Sequence, residues 1–209
     1  YKEKLKSIDN ADFLSLISFY NKEECYTKMI ANTLRQDQNL IKKFVEACFD
    51  KCGKSTNFSG EEFTVYDEYS IKKVGKLDIL IESDNYRLVI ENKIDSNISH
   101  SGSTPPTDQL NKYYDYFEKF ADKKETIYVV LAPNYRITDL KIEIKALPST
   151  MYDKWQIWAY DFVYEFYKAN KALLKKSPYR RLYDNIVSAL LRQSLSRQEL
   201  FELRLSQKK

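Results

Sequence analysis

Gly75-Lys76-Leu77-Asp78-Ile79-Leu80-Ile81-Glu82, the link Ser83-Asp84-Asn85, and Tyr86-Arg87-Leu88-Val89-Ile90-Glu91-Asn92-Lys93-Ile94 form the stretch on which the fold turns. Two runs of Val, Ile and Leu flank Asp84-Asn85, residue types that tolerate the left-handed conformations of a two-residue hairpin turn. Strands are therefore predicted over 76–83 and 86–94. The turn sets the register: Ile81 faces Leu88, Leu80 faces Val89, Ile79 faces Ile90 and Asp78 faces Glu91. Alternation then places Leu77, Ile79, Ile81, Leu88 and Ile90 on one face of the sheet. Asp78, Glu91 and Lys93 share the other.

Carboxylates set opposite each other destabilise a sheet unless something positive lies between them. A divalent cation fits, because Mg2+ takes a few carboxylate and carbonyl oxygens and keeps part of its hydration. Lys93 is then placed to orient or help deprotonate an attacking water, or to stabilise developing phosphate charge. The plainer reading pairs Asp78 with Lys93 or Lys76 and leaves Glu91 and Lys93 on a solvated strand face.

Working outward, 63–71 reads as a preceding strand. Before it, Tyr26, Met29, Ile30 and Leu34 recur at helical spacing. After a break near Asp37, so do Leu40, Ile41, Phe44, Val45, Cys48 and Phe49, a stripe that stops at Gly53 as a C-cap. Asn21 with Glu24 resembles a capping box, and Phe13, Leu14, Leu16, Ile17 and Phe19 mark a short helix over 9–20. Downstream, 95–106 is a Ser/Gly/Pro-rich loop long enough to contact a ligand. Thr107 then caps a helix carrying Leu110, Tyr113, Tyr114, Phe117 and Phe120. The apolar run 127–132 reads as a buried strand, Trp155 to Tyr160 as a fifth strand, and two helices follow, one after Asp161 and a longer one from near Pro178.

Composition removes several chemistries. The 209 residues hold four glycines, Gly53, Gly60, Gly75 and Gly102, so neither GxGxxG nor GxxxxGK[ST] can be written. A single histidine, His100, excludes chemistry that needs two imidazoles. Cys25, Cys48 and Cys52 form no CxxC; with His100 they number four, but the spacing matches no zinc finger and favours ordinary thiols in a reducing compartment. Mean hydropathy is −0.57, and no apolar run reaches the length of a membrane span, so a cytoplasmic protein with no membrane partner is expected. A net charge of +4 is too mild to mark a nucleic-acid binder. Basic residues do cluster locally, at Lys72, Lys73 and Lys76 and at Lys171, Lys175, Lys176, Arg180 and Arg181.

Gly75-Lys76-Leu77-Asp78, then Glu91-Asn92-Lys93, in the order helix, three strands, helix, strand, resemble the PD-(D/E)XK nuclease superfamily over about residues 20–135. Leu77 stands where the motif name has proline. The resemblance implies an α/β, restriction-endonuclease-like core: a small mixed β-sheet flanked by helices. It implies a nuclease-like domain over 1–160, with 161–209 a C-terminal helical extension packed on it. Catalytic roles fall to Asp78, Glu91, Lys93 and Glu24, the last chosen over Glu23 by helix phase. Mg2+ or Mn2+ would be held by Asp78, Glu91 and the backbone carbonyl at Asn92. Gln109 and Tyr113 look like the QxxxY motif of the RecB-like and lambda-exonuclease-like branch, and with Lys76 are expected to meet substrate.

The implied reaction is metal-dependent phosphodiester hydrolysis, with DNA the default substrate. A catalytically inactive nucleic-acid-binding or assembly domain on the same fold is the alternative. Glu24 also serves as a simple capping residue, and Gln109 and Tyr113 as the polar edge of a core helix. The late apolar stripe, with Leu182, Ile186, Leu190, Leu195, Leu200, Leu203 and Leu205, covers the core or forms a homodimer.

Overall fold

Five strands form one sheet in the order β1-β2-β3-β4-β5: β1 Thr64–Ile71, β2 Gly75–Glu82, β3 Tyr86–Asn92, β4 Glu125–Ala132 and β5 Trp155–Ala159. The helices are α1 Glu23–Leu34, α2 Gln38–Lys51, α3 Gln109–Lys119, α4 Ile137–Lys145, α5 Tyr160–Ala169, α6 Lys171–Lys176, α7 Tyr183–Gln193 and α8 Arg197–Ser206. The structure, a computed structural model, describes residues 22–96, 109–119, 121–145, 153–176, 180 and 182–206. The helix expected over 9–20, Asn21, His100, Thr107, Phe120, Pro178 and Arg181 lie outside them, as do the side chains of Lys175 and Lys176.

β1, β2 and β3 run antiparallel and β3, β4 and β5 parallel. Parallel neighbours need crossovers, and α3 and α4 supply them on the same face of the sheet. There Leu110, Tyr113, Phe117, Leu140 and Ile144 pack with Leu80, Val89, Tyr128 and Val130. The other face carries Ile79, Ile81, Leu88, Ile90, Ile127 and Val129 under α1, α2, α5 and α7. β4 lies between β3 and β5 and is covered on both faces, which is why its sequence is an unbroken apolar run from Ile127. The fold is thus an α/β mixed sheet flanked by helices, as expected.

Asp37 caps α2, accepting from Asn39 N at 2.7 Å and Leu40 N at 3.3 Å. Lys54 N donates to Phe49 O at 3.0 Å past Gly53 at φ +68°, closing the C-terminus of α2. Arg35 Nε donates to Val65 O at 2.9 Å and Gln38 Nε2 to Phe63 O at 2.8 Å, tying the α1–α2 corner to the edge strand.

Five points differ from these expectations. The β2–β3 register is as derived for Ile79–Ile90, Leu80–Val89 and Ile81–Leu88, yet neither Asp84 nor Asn85 has a positive φ. Tyr86 N instead donates to the Ser83 hydroxyl at 3.3 Å, and Ser83 N to Tyr86 O at 3.0 Å, closing a more open turn. The ladder also stops at Ile79–Ile90, so Asp78 does not pair with Glu91. Glu68 in β1 sits at φ +51°, and the β1–β2 ladder skips from Asp67–Ile79 to Tyr69–Leu77. The strand turns over at this point: Leu77 packs with Leu80 and Tyr113, not with Ile79 and Ile81.

The remaining two corrections concern helices. α4 carries no clear helical period in its sequence, because only Leu140 and Ile144 of its residues are buried while Ile142 is largely exposed. The long last helix is two, broken at Ser194, with Ser196 and Glu199 exchanging backbone-to-side-chain hydrogen bonds of 2.8 and 3.3 Å. That is a capping box in plain sequence, Ser196-Arg197-Gln198-Glu199.

Candidate active site

The turnover at Asp78 lets its carboxylate leave the β2 ladder and reach β3. Asp78 Oδ2 accepts the Asn92 backbone N–H at 2.7 Å. On β3, alternation sends Glu91 and Lys93 toward α3 and Asn92 toward α1 and α5. Lys93 Nζ donates to Glu91 Oε1 at 2.8 Å and lies 3.4 Å from Gln109 Oε1. Glu91 is 2 % exposed and Lys93 4 %. Glu91 Oε2 is buried with no hydrogen-bond partner among the described residues.

One lysine is therefore shared by two desolvated acids. Burial, opposed by the Asn92 N–H and Lys93, pushes Asp78 up to about 6. Burial and then the charge of Asp78, opposed by Lys93, push Glu91 up to about 8. Burial drives the Lys93 ammonium down, but Glu91, with Glu23 and Asp78, outweighs it and leaves the group above its ordinary value.

Asn92 points away from these acids. Its Nδ2 donates to Thr27 Oγ1 at 2.6 Å and its Oδ1 accepts from Tyr160 OH at 3.3 Å, both buried. Its side chain is thus committed to the opposite layer, and only its backbone is left to face Asp78 and Glu91.

Glu24 is not brought to the site. α1 starts at Glu23 with Lys22 at the N-cap, and this phase leaves Glu24 mostly exposed and paired with Lys28. Glu23 takes the inward position: its Oε1 accepts from Ile94 N at 2.8 Å, Ser96 N at 3.2 Å and Ser96 Oγ at 2.7 Å. It fastens the segment that leaves β3, and Arg136 holds the same segment from the other side through Ser96 O at 2.6 Å.

Gln109 and Tyr113 share one side of α3. Gln109 Nε2 donates to Tyr113 OH at 2.9 Å, and Tyr113 OH donates to Lys76 O at 2.6 Å. Tyr113 is fully buried. At Gly75, with φ +152°, a Cβ would stand 3.2 Å from the Tyr113 hydroxyl. The Lys76 side chain is exposed and bonded to Glu68, which Lys28 also approaches at 3.4 Å. Lys72 and Lys73 are exposed on the adjoining turn. Arg180 is exposed near the last helices, where Lys171 Nζ lies 5.6 Å from the Tyr183 ring. Cys25, Cys48 and Cys52 are free thiols, and Cys48 is buried in the α2 core stripe.

Among the described residues no group of three or more His, Cys, Asp or Glu side chains is gathered to hold a metal ion. Two carboxylates suffice for an ion that keeps its waters, and an orphaned buried oxygen on Glu91 beside an ionisable Asp78 is the environment a hard cation relieves. The residues present fit such an ion.

A mixed five-stranded sheet with an Asp just past the last β2–β3 pair and a Glu-x-Lys running off the end of β3 defines a nuclease-type α/β core. A family model of the PD-(D/E)XK nuclease superfamily matches residues 11–181, and the chain belongs to that superfamily. No curated protein and no solved structure matches the chain. Sequence reasoning missed Glu23, Thr27, Tyr160 and Arg136. A signal existed only for Glu23, in the choice between two adjacent glutamates.

Proposed function

We propose that the chain is a metal-dependent nuclease hydrolysing phosphodiester bonds in DNA, of the RecB-like branch, with Asp78 and Glu91 holding Mg2+ or Mn2+ and Lys93 assisting the attacking water. The observation that carries this reading is the buried, unpartnered Oε2 of Glu91 beside Asp78. When bound there, the cation supplies Lewis acidity, lowering the pKa of water and offsetting charge on the phosphoryl group. Lys93 contributes as an ammonium: a donor fixed on Glu91 orients the attacking water and stabilises charge that develops on phosphate oxygens. The Asn92 N–H holds Asp78 in place. Exposed Lys76, Lys72 and Lys73 flank this end of the sheet and supply counter-charge for a phosphate backbone.

In this reading the C-terminal helices belong to the same folding unit. Tyr26 OH accepts from Gln193 Nε2 at 2.9 Å, and Tyr167 OH donates to Ile30 O at 3.3 Å. The alternative, an inactive nucleic-acid-binding domain, is favoured by one observation: Lys93 already satisfies the other oxygen of Glu91.

Cleavage of end-labelled and circular DNA in Mg2+ or Mn2+ tests the proposal. Asp78→Ala and Glu91→Ala are expected to abolish cleavage while the fold, and DNA affinity measured in Ca2+, persist. Metal-independent DNA affinity without cleavage, indifferent to both substitutions, would establish the binding module instead.

A further inference from the structure

Gln109 links the active-site lysine to the Tyr113 hydroxyl, and only the kinetic consequence of that link rests on the nuclease reading. A chain of hydrogen bonds runs from Lys93 Nζ to Gln109 Oε1 at 3.4 Å, from Gln109 Nε2 to Tyr113 OH at 2.9 Å, and from Tyr113 OH to Lys76 O at 2.6 Å. Its polarity is set at both ends. An ammonium only donates and a backbone carbonyl only accepts. Tyr113 spends its one proton on Lys76 O, so it can only accept from Gln109. The amide must therefore turn its NH2 to Tyr113 and its oxygen to Lys93. A carboxylate at 109 has no donor for Tyr113, and an aliphatic side chain has neither group.

The chain also crosses the fold where alignment matters. It joins α3 to β2 two residues before Asp78 and to Lys93, the residue that follows β3, so one strap registers the two strands that carry the acids. The backbone is cut to admit it: Gly75 stands where any Cβ would come within 3.2 Å of the Tyr113 hydroxyl.

We infer that Gln109 is a positioning residue for Lys93, oriented by Tyr113, and not a substrate contact. Lys93 has three N–H bonds. Glu91 takes one and Gln109 a second, which fixes the direction of the third. Without Gln109 the ammonium turns freely about its bond to Glu91. Because Gln109 and Tyr113 act through one relay, removing either breaks the same restraint.

The test combines kinetics with a direct probe of Lys93, using Gln109→Leu, Tyr113→Phe and the double variant of the full chain. Gln109→Leu is expected to lower kcat about 10- to 100-fold with DNA affinity in Ca2+ unchanged. The double variant should be no slower than the slower single one. In protein labelled with 15N-lysine, the Lys93 ammonium cross-peak, assigned by its loss in Lys93→Met, should vanish in Gln109→Leu. Weakened DNA affinity with kcat intact would make Gln109 a substrate contact and overturn the inference. So would a Lys93 cross-peak that is unchanged in Gln109→Leu, whatever the kinetics. If the wild type cleaves nothing yet the cross-peak is lost in Gln109→Leu, the relay stands and only the nuclease reading fails.

Discussion

Raising the pH of the metal-free protein should destabilise it, and the size of the effect follows from the two buried acids. Burial lifts Asp78 from 3.8 to about 6 and Glu91 from 4.5 to about 8. Across that window the folded chain keeps protons that the unfolded chain has released, so stability is full below the unfolded values and is lost as pH rises through the folded ones. At about 1.4 kcal/mol per pKa unit, Glu91 alone is worth roughly 4–5 kcal/mol and Asp78 roughly 3 kcal/mol. The two share one lysine and one desolvated space, so they titrate as a pair and the joint loss falls short of the sum. Roughly 4 kcal/mol between pH 5 and 9 is the expectation, a fall in Tm of about 8–16 °C for a chain of this length.

Glu61, Glu68 and Asp122 are held below the usual carboxylate range by their hydrogen-bonded partners, and Asp67, whose burial works the other way, is held there by the bond and charge of Arg35. Their contribution has the opposite sign and is lost only as pH falls through those lowered values, outside this window. The assay is thermal unfolding in EDTA from pH 5 to 9, wild type against Glu91→Gln, whose amide does not titrate. Excess Mn2+ should stabilise the wild type more at pH 8.5 than at pH 5.5, because the ionised pair binds it. Parallel pH profiles for the two proteins in EDTA would mean that Glu91 holds no proton in the folded chain across this window.

Other substitutions separate the roles the geometry assigns. Glu23→Ala, which frees Ile94 N, Ser96 N and Ser96 Oγ, should cost about 2–3 kcal/mol in urea unfolding, whereas Glu24→Ala should stay within about 0.5 kcal/mol. Thr27→Val leaves the buried Asn92 amide without its 2.6 Å partner and should cost about 1–3 kcal/mol by the same measurement. Gly75→Ala forces a Cβ toward the Tyr113 hydroxyl at a φ of +152° and should lower stability by at least about 1 kcal/mol.

Much of this was legible in the sequence because local rules and tertiary packing agree there. The register of β2 and β3 followed from the two-residue link, although the turn closes through the Ser83 hydroxyl. The break before α2 followed from Asp37. What escaped was decided by long-range geometry. The left-handed Glu68 turns β2 over at Leu77, and nothing in a run of eight residues announces it. Glu23 and Glu24 both stand within one turn of the buried Tyr26 and Thr27, and only the meeting with Ile94 and Ser96 makes Glu23 the inward acid. Tyr160 meets Asn92 across 68 residues of chain, beyond the reach of any periodicity.

Whether Asp78 and Glu91 hold a cation is decided by calorimetric titration of Mn2+ into the protein at pH 7.5, wild type against Asp78→Ala and Glu91→Ala, with circular dichroism confirming the fold of each. The wild type is expected to hold a Mn2+ site that is lost in both variants, with protons released on binding. Correctly folded wild type that binds no Mn2+, or binding undiminished in the variants, would contradict this expectation and leave Asp78, Glu91 and Lys93 a structural ion-pair cluster.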